Sequence, residues 1–370
     1  MRRWMAVPLV FAVAVAVALN GDAPRARAAD PVEETFPTAD GVRLKGLFHK
    51  SPKAREGNPV VVLLYSPGPD RTMTKPGDWD GLANRLNDEG FHVFRFDWRG
   101  HGKSTDISDP QAFWKNPVTG PWNNRHIKGG NRRPVKNELN VKTDIGPRYF
   151  PAYVTDLAAV RTYLDQKNDE GALNSSSIYL IGAGDTAALG MLWLAAEWVR
   201  PSVHPVLGGT AQYEIVPSVP PVNNLEAARD VAGAIWLSGT RPPSMPEAAV
   251  ARWVAGAPRL RENNPMLFLY GDKDRAAEQT AKLFFDEVLV AKGHKGQGVK
   301  PLEQTFVTPV AGAKTLSGVA LLGQNAQLHT EDTIVKYLLA RQKDRASLTR
   351  KERRFVTPYY INLGYFGLNP

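Results

Sequence analysis

The chain of 370 residues contains no cysteine. That absence removes disulfides, thiolate nucleophiles and cysteine-ligated metals together. It does not assign a compartment, because many exported proteins lack disulfides. There is no HExxH pair and no carboxylate cluster with calcium-loop spacing, so no metal site is expected. A phosphate loop is also missing. Gly182-Ala183-Gly184 is a lone glycine pair, and Asp185-Thr186 do not complete a dinucleotide fingerprint. No cofactor is expected. Long apolar runs are missing too: the stretch 5–19 is too short, and too soon followed by polar residues, to favour a membrane span.

That stretch has another meaning. Arg2 and Arg3 precede it, and Ala26-Arg27-Ala28 follows with the small-residue pattern of a cleavage site. Residues 1–28 are therefore expected to be a secretory signal peptide, with an uncleaved anchor as the alternative. The expected location is periplasmic or extracellular, with no stable membrane span after cleavage. Removing four arginines and Asp22 with the leader lowers the formal charge from +9 to +6. No nucleic-acid motif accompanies the basic excess, so no nucleic-acid partner is expected.

The remaining chain alternates between two periodicities. Residues 33–36 and 43–48 read as strands joined at the hairpin signal Asp40-Gly41. Residues 60–64 are a continuous β-branched run, as in a strand buried on both faces. Further strands are expected at 91–96, 177–181, 232–237, 266–270 and 304–307. Helices are expected at 79–89, 186–199, 246–254, 276–289 and 330–339, with Thr330 as an N-cap, and an amphipathic helix at 153–164. This order implies a mostly parallel central sheet with helices on both faces and an N-terminal antiparallel hairpin. The pattern lapses over 105–148, a basic insert of the kind that serves as a lid, a binding loop or disorder. It lapses again over the Pro-rich 201–230, with a short helix near 225–230. A basic and aromatic tail, 343–370, follows the domain at 33–342. It carries Phe355, Tyr359, Tyr360, Tyr365 and Phe366. The tail either packs back on the body or captures a partner.

Asp97-Trp98-Arg99-Gly100-His101-Gly102-Lys103-Ser104 follows the strand at 91–96. This resembles the D-x-R-G-H-G-x-S turn of the α/β-hydrolase superfamily, especially its serine-aminopeptidase and lysophospholipase-like branch. The resemblance implies an α/β-hydrolase fold, with His101 structural rather than catalytic. It also implies a nucleophile within G-x-S-x-G on a strained strand-to-helix turn. Here the corresponding residues are Gly182-Ala183-Gly184-Asp185-Thr186, so Gly184 stands where serine belongs. Asp185 is a substitute nucleophile only with a one-residue slip; otherwise it caps the following helix. In Tyr65-Ser66-Pro67-Gly68, Pro67 falls at an oxyanion-donor position and has no N–H. A shift of one residue would give Gly68 the donor. Ser66 is a further substitute nucleophile.

Gly271-Asp272-Lys273-Asp274 resembles the acid turn, with Asp274 at the acid position, Asp272 second, and a helix cap as the alternative role. Ser317 takes the histidine position in Ser317-Gly318-Val319-Ala320. His294 precedes the last strand and is out of place. His329 stands later than the fold normally puts its base. Nucleophile, base and one oxyanion donor thus depart together, and triad members act as a unit. The expected reading is a pseudo-hydrolase that binds a small molecule or protein. The alternatives are an ester or peptide hydrolase with an atypical nucleophile, or an assembly protein acting through its insert and tail.

Overall fold

The computed structural model describes residues 30–53, 59–75, 78–129, 135–200, 227–289 and 304–345, and at the C-terminal end 347–348, 351–353, 356 and 358–370. The expected signal peptide, His294, Phe355 and residues 201–226 lie outside the described residues.

Eight strands form one sheet: β1 (Val32–Pro37), β2 (Arg43–His49), β3 (Val60–Leu64), β4 (His92–Phe96), β5 (Ile178–Ala183), β6 (Val231–Leu237), β7 (Met266–Gly271) and β8 (Phe306–Val310). Their order is β1-β2-β4-β3-β5-β6-β7-β8. β2 runs antiparallel to β1 and β4, and the remaining pairs are parallel. The helices are α1 (Asp78–Asp88), α2 (Pro110–Lys115), α3 (Gly120–His126), α4 (Val154–Asp169), α5 (Thr186–Val199), α6 (Glu247–Gly256), α7 (Pro258–Asn263), α8 (Arg275–Leu283), α9 (Asn325–Leu328) and α10 (Thr330–Lys343). This is the α/β-hydrolase fold. Every residue of β3, β4, β5, β6 and β7 is buried, which is why all but β4, with its buried His92 and Arg95, read as unbroken apolar runs.

The turn after β4 anchors the molecule. Arg99, 1% exposed, donates from Nη1 to Asp40 Oδ2 at 2.8 Å and from Nε to Asp156 Oδ1 at 2.7 Å. Its backbone N–H donates to Asp156 Oδ2 at 2.9 Å, and Nη1 also donates to the Tyr149 hydroxyl at 3.0 Å. Thr38 donates to Asp40 at 2.6 Å, and Tyr149 donates to Asn123 at 2.8 Å. Burial pushes the Asp40 carboxyl up, but the Arg99 guanidinium reverses the push and holds it below its ordinary value. Burial raises Asp156 to about 6 despite Arg99, with the Asp40 charge adding to the rise. Asp97 accepts from the N–H of Met73 at 2.7 Å and the hydroxyl of Tyr65 at 3.2 Å. Gly102 has φ +49°, and a Cβ there would run into the Asp97 carboxylate. That position therefore needs glycine.

Three expectations are corrected and one is borne out. The insert at 105–148 is not an extended loop. Its described part contains α2 and α3 and sinks Phe113, Trp114 and Trp122 into the core. The helix expected as amphipathic, α4, is buried along the whole of 154–164, because structure covers its outer face as well. Thr330 is the first residue of α10 rather than its cap; His329 takes the cap position in a left-handed conformation (φ 52°) without a side-chain cap bond. The tail packs back on the body, as the first of its two expected roles has it. Tyr359 lies under Arg200, whose guanidinium is 3.9 Å from the ring centroid, and its hydroxyl bonds Glu197. Tyr360 donates to Ala39 O at 2.7 Å, and Trp253 donates to Phe366 O at 2.9 Å. Tyr365 alone among the described tail aromatics is exposed, at 56%. Deleting 344–370 therefore opens the core, contrary to the assembly reading.

Two outcomes follow. Replacing Arg99 by Met leaves Asp40 and Asp156 buried without their partner and should lower the unfolding free energy by about 3–5 kcal/mol. Denaturant titration measures it, and adding Asp40→Asn and Asp156→Asn should restore part of the loss. Burial lowers His101 to about 4, so the folded protein holds it neutral. A depressed folded value contributes stability above the ordinary 6.5, lost as pH falls toward about 4. The stability gap between the wild type and His101→Leu should therefore shrink from pH 7 to pH 5 in parallel melts.

Candidate functional site

β5 ends at Ala183, the backbone turns at Gly184 with φ +59°, and α5 begins at Thr186. This is the expected strand-to-helix elbow. The Gly184 N–H donates to Leu237 O at 3.0 Å, and its carbonyl accepts from Thr240 N–H at 3.0 Å. The bend is thus tied to the end of β6. Trp236 packs across α5 and β5 at Gly182 and Gly190; a Cβ at either glycine would collide with its ring. Thr186 occupies the fifth motif position with its hydroxyl bonded to Ala183 O at 2.9 Å. The elbow retains its backbone while its apex bears no side chain.

The space over that apex is a cavity of about 670 Å³. Ser66, Gly184 and Ser317 all line it, together with Arg71 and Thr240. A Cβ placed on Gly184 would stand 3.5 Å from Ser66 Oγ and 3.5 Å from Thr240 Oγ1. Gly318, beside Ser317, packs toward Ala183 at the end of β5. The structure therefore brings Gly184 and Ser317, the residues expected at the nucleophile and histidine positions, to one chamber. Among the described residues that line it, none is a histidine.

The other candidates separate. Asp185 makes no side-chain cap bond to α5, contrary to the capping alternative. Its carboxylate accepts from the Thr240 hydroxyl and lines a second cavity of about 570 Å³. Asp274 does cap: Oδ1 accepts from Ala277 N–H at 3.1 Å at the start of α8. Its Oδ2 is buried and has no hydrogen-bond partner among the described residues. Asp272 reaches the Lys314 N–H, tying the acid turn to the loop that leads to Ser317. His329 is 69% exposed at its side chain, pairs with Asp332 at 3.1 Å, and lines neither cavity.

The oxyanion region shows a further departure. Gly68 N–H, the donor that a one-residue shift would supply, donates instead to His101 Nε2 at 3.0 Å. His101 Nδ1 in turn donates to Arg99 O at 3.0 Å, which sets the neutral tautomer. Thr240, which touches both apex and Asp185, follows β6 in no recognisable motif, and sequence reasoning had no signal for it. Among the described residues no cluster of three or more His, Asp or Glu side chains could hold a metal, and no helix is long and apolar enough to cross a membrane.

No protein-family model and no curated protein sequence matches the chain. Solved structures do match at low identity. An esterase from Pyrococcus furiosus is 12% identical with a TM-score of 0.46, over 84% of this chain and 91% of its own. Est1E from Butyrivibrio proteoclasticus, with ferulic acid bound, is 14% identical with a TM-score of 0.47, over 84% of this chain and 100% of its own. A fungal esterase from Rhizomucor miehei is 13% identical with a TM-score of 0.48, over 86% of each chain. These are neighbours in fold; the strand order described above carries the fold assignment by itself.

Proposed function

We propose that this is an exported pseudo-hydrolase, a binding protein that keeps the hydrolase scaffold and its chamber without acyl-transfer chemistry. One observation carries the reading: the elbow chamber presents Gly184 at the apex and Ser317 at the histidine position, and no imidazole lines it among the described residues. Without a nucleophile no covalent intermediate forms, and without a base no hydroxyl is activated. The oxyanion donors are depleted as well, since Pro67 has no N–H and Gly68 N–H is engaged by His101. Export rests on the leader pattern of residues 1–28.

The second reading, an ester or peptide hydrolase with an atypical nucleophile, draws on two features. Ser66 Oγ reaches the space beside the apex, and Asp274 keeps an unpartnered oxygen.

The test is a fluorophosphonate probe and a panel of activated esters applied to the protein without its leader. The expected result is no labelling and no turnover above buffer. Labelling at Ser66, with turnover removed by Ser66→Ala, would establish the second reading instead. The double variant Gly184→Ser/Ser317→His should gain labelling at position 184. Its turnover should stay about 10²–10³-fold below that of a complete site, because a donor is missing. It should also be about 1–2 kcal/mol less stable, because a side chain now occupies a left-handed residue.

A further inference from the structure

We propose that the second cavity, lined by both Asp185 and Arg148, binds a small apolar zwitterion. Such a ligand carries an ammonium and a carboxylate on one apolar body, as an apolar amino acid or a short peptide does. The proposal rests on the binding reading above and names a ligand class for a cavity beside the elbow chamber.

The cavity offers one charge of each sign. Asp185 stands at the elbow, half-buried, and makes no side-chain cap bond to α5. Its Oδ1 accepts from the Thr240 hydroxyl, a neutral partner that leaves the negative charge uncompensated. Arg148 lines the same cavity and is exposed. Among the described residues neither side chain has an ion-pair partner. Ser244 lines the cavity too, and its buried hydroxyl has no hydrogen-bond partner among the described residues. The fold itself therefore leaves polar groups unmatched here.

The remaining walls are apolar and stiff. Ile145, Phe150 and Tyr153 line them together with five prolines, whose rings fix the backbone. Each charge stands on a segment anchored on its own. Arg148 lies in the short helical turn Pro147–Tyr153, held where the Tyr149 hydroxyl accepts from Arg99 at 3.0 Å. Asp185 follows the bend at Gly184, which is tied to the end of β6. Segments placed in advance reduce the ordering cost of binding. Two opposite charges in one cavity then select by sign. An amine alone gains from Asp185 and is repelled by Arg148; an acid alone meets the reverse. A zwitterion gains a charge-assisted hydrogen bond at each end, and its apolar body covers the walls. The volume, about 570 Å³, is that of a small-molecule site.

Isothermal titration of the protein with leucyl-phenylalanine, its N-acetyl form and its C-terminal amide tests the proposal. Phenylalanine, N-acetylphenylalanine and phenylalaninamide form the matching single-residue set. Saturable binding of leucyl-phenylalanine or phenylalanine is expected, about tenfold tighter than either blocked form of the same compound. The tighter of the two tells peptide from amino acid. Asp185→Asn should erase the difference between the free and the N-acetylated ligand, and keep that between the free ligand and the amide. Arg148→Gln should do the opposite, and melting curves verify that both variants fold. The proposal is overturned if neither zwitterion binds saturably, if a blocked form binds as tightly as the free one, or if either folded variant lacks its half of the crossed pattern. Cleavage of leucyl-phenylalanine in the same samples would instead refute the non-catalytic reading, a result distinct from any loss of charge preference.

Discussion

One guanidinium holds the site end of this molecule together. Arg99 lies in the turn after β4, yet its guanidinium reaches the hairpin loop at Asp40, the start of α4 at Asp156, and Tyr149 just past the insert. No one of these segments could bury its carboxylate or hydroxyl by itself. Planar fork geometry lets one residue satisfy two carboxylates in fixed directions, which lysine cannot do. The adjoining His101 then passes the constraint to the Tyr65–Gly68 loop, which forms one wall of both cavities.

On the proposed reading, scaffold and chemistry have separated in this chain. The backbone of the elbow is intact: the left-handed bend, the glycines that admit Trp236 and the helix that follows at once are all present. The acid turn still reaches the loop before Ser317 through Asp272. Gly184 and Ser317 both line one chamber, whose walls are set by strand ends and by loops tied to them, so its shape does not depend on a reactive side chain at either position.

The fold was readable in sequence wherever burial was two-sided. The runs at 60–64 and 186–199 correspond to β3 and α5 with the same ends, because continuous apolarity and the Gly-rich bend leave little freedom. The D-x-R-G-H-G-x-S turn pointed to the fold, and the elbow register placed Gly184 at the bend. Asp40-Gly41 was read rightly as a hairpin turn, but a turn signal gives no hint that the Asp40 carboxylate is buried at 0% exposure against an arginine 59 residues away. The helices of the insert were missed, and the tail's docking place was not legible, because their aromatic residues lack period; they are fixed by long-range contacts such as Trp114 to Lys136 O and Tyr359 to Glu197. Thr240 was invisible for the same reason: its role exists only once β5 and β6 are neighbours.

The bend at Gly184 has a consequence for reversibility. A side chain at φ +59° carries steric cost at every moment, whether or not a reaction is under way. Glycine relieves that cost, so the present apex is the relaxed form of the corner. Placing an oxygen-bearing side chain there moves the protein uphill in stability before any benefit arises. Folding thermodynamics thus acts as a ratchet at this corner: it favours glycine and resists any replacement.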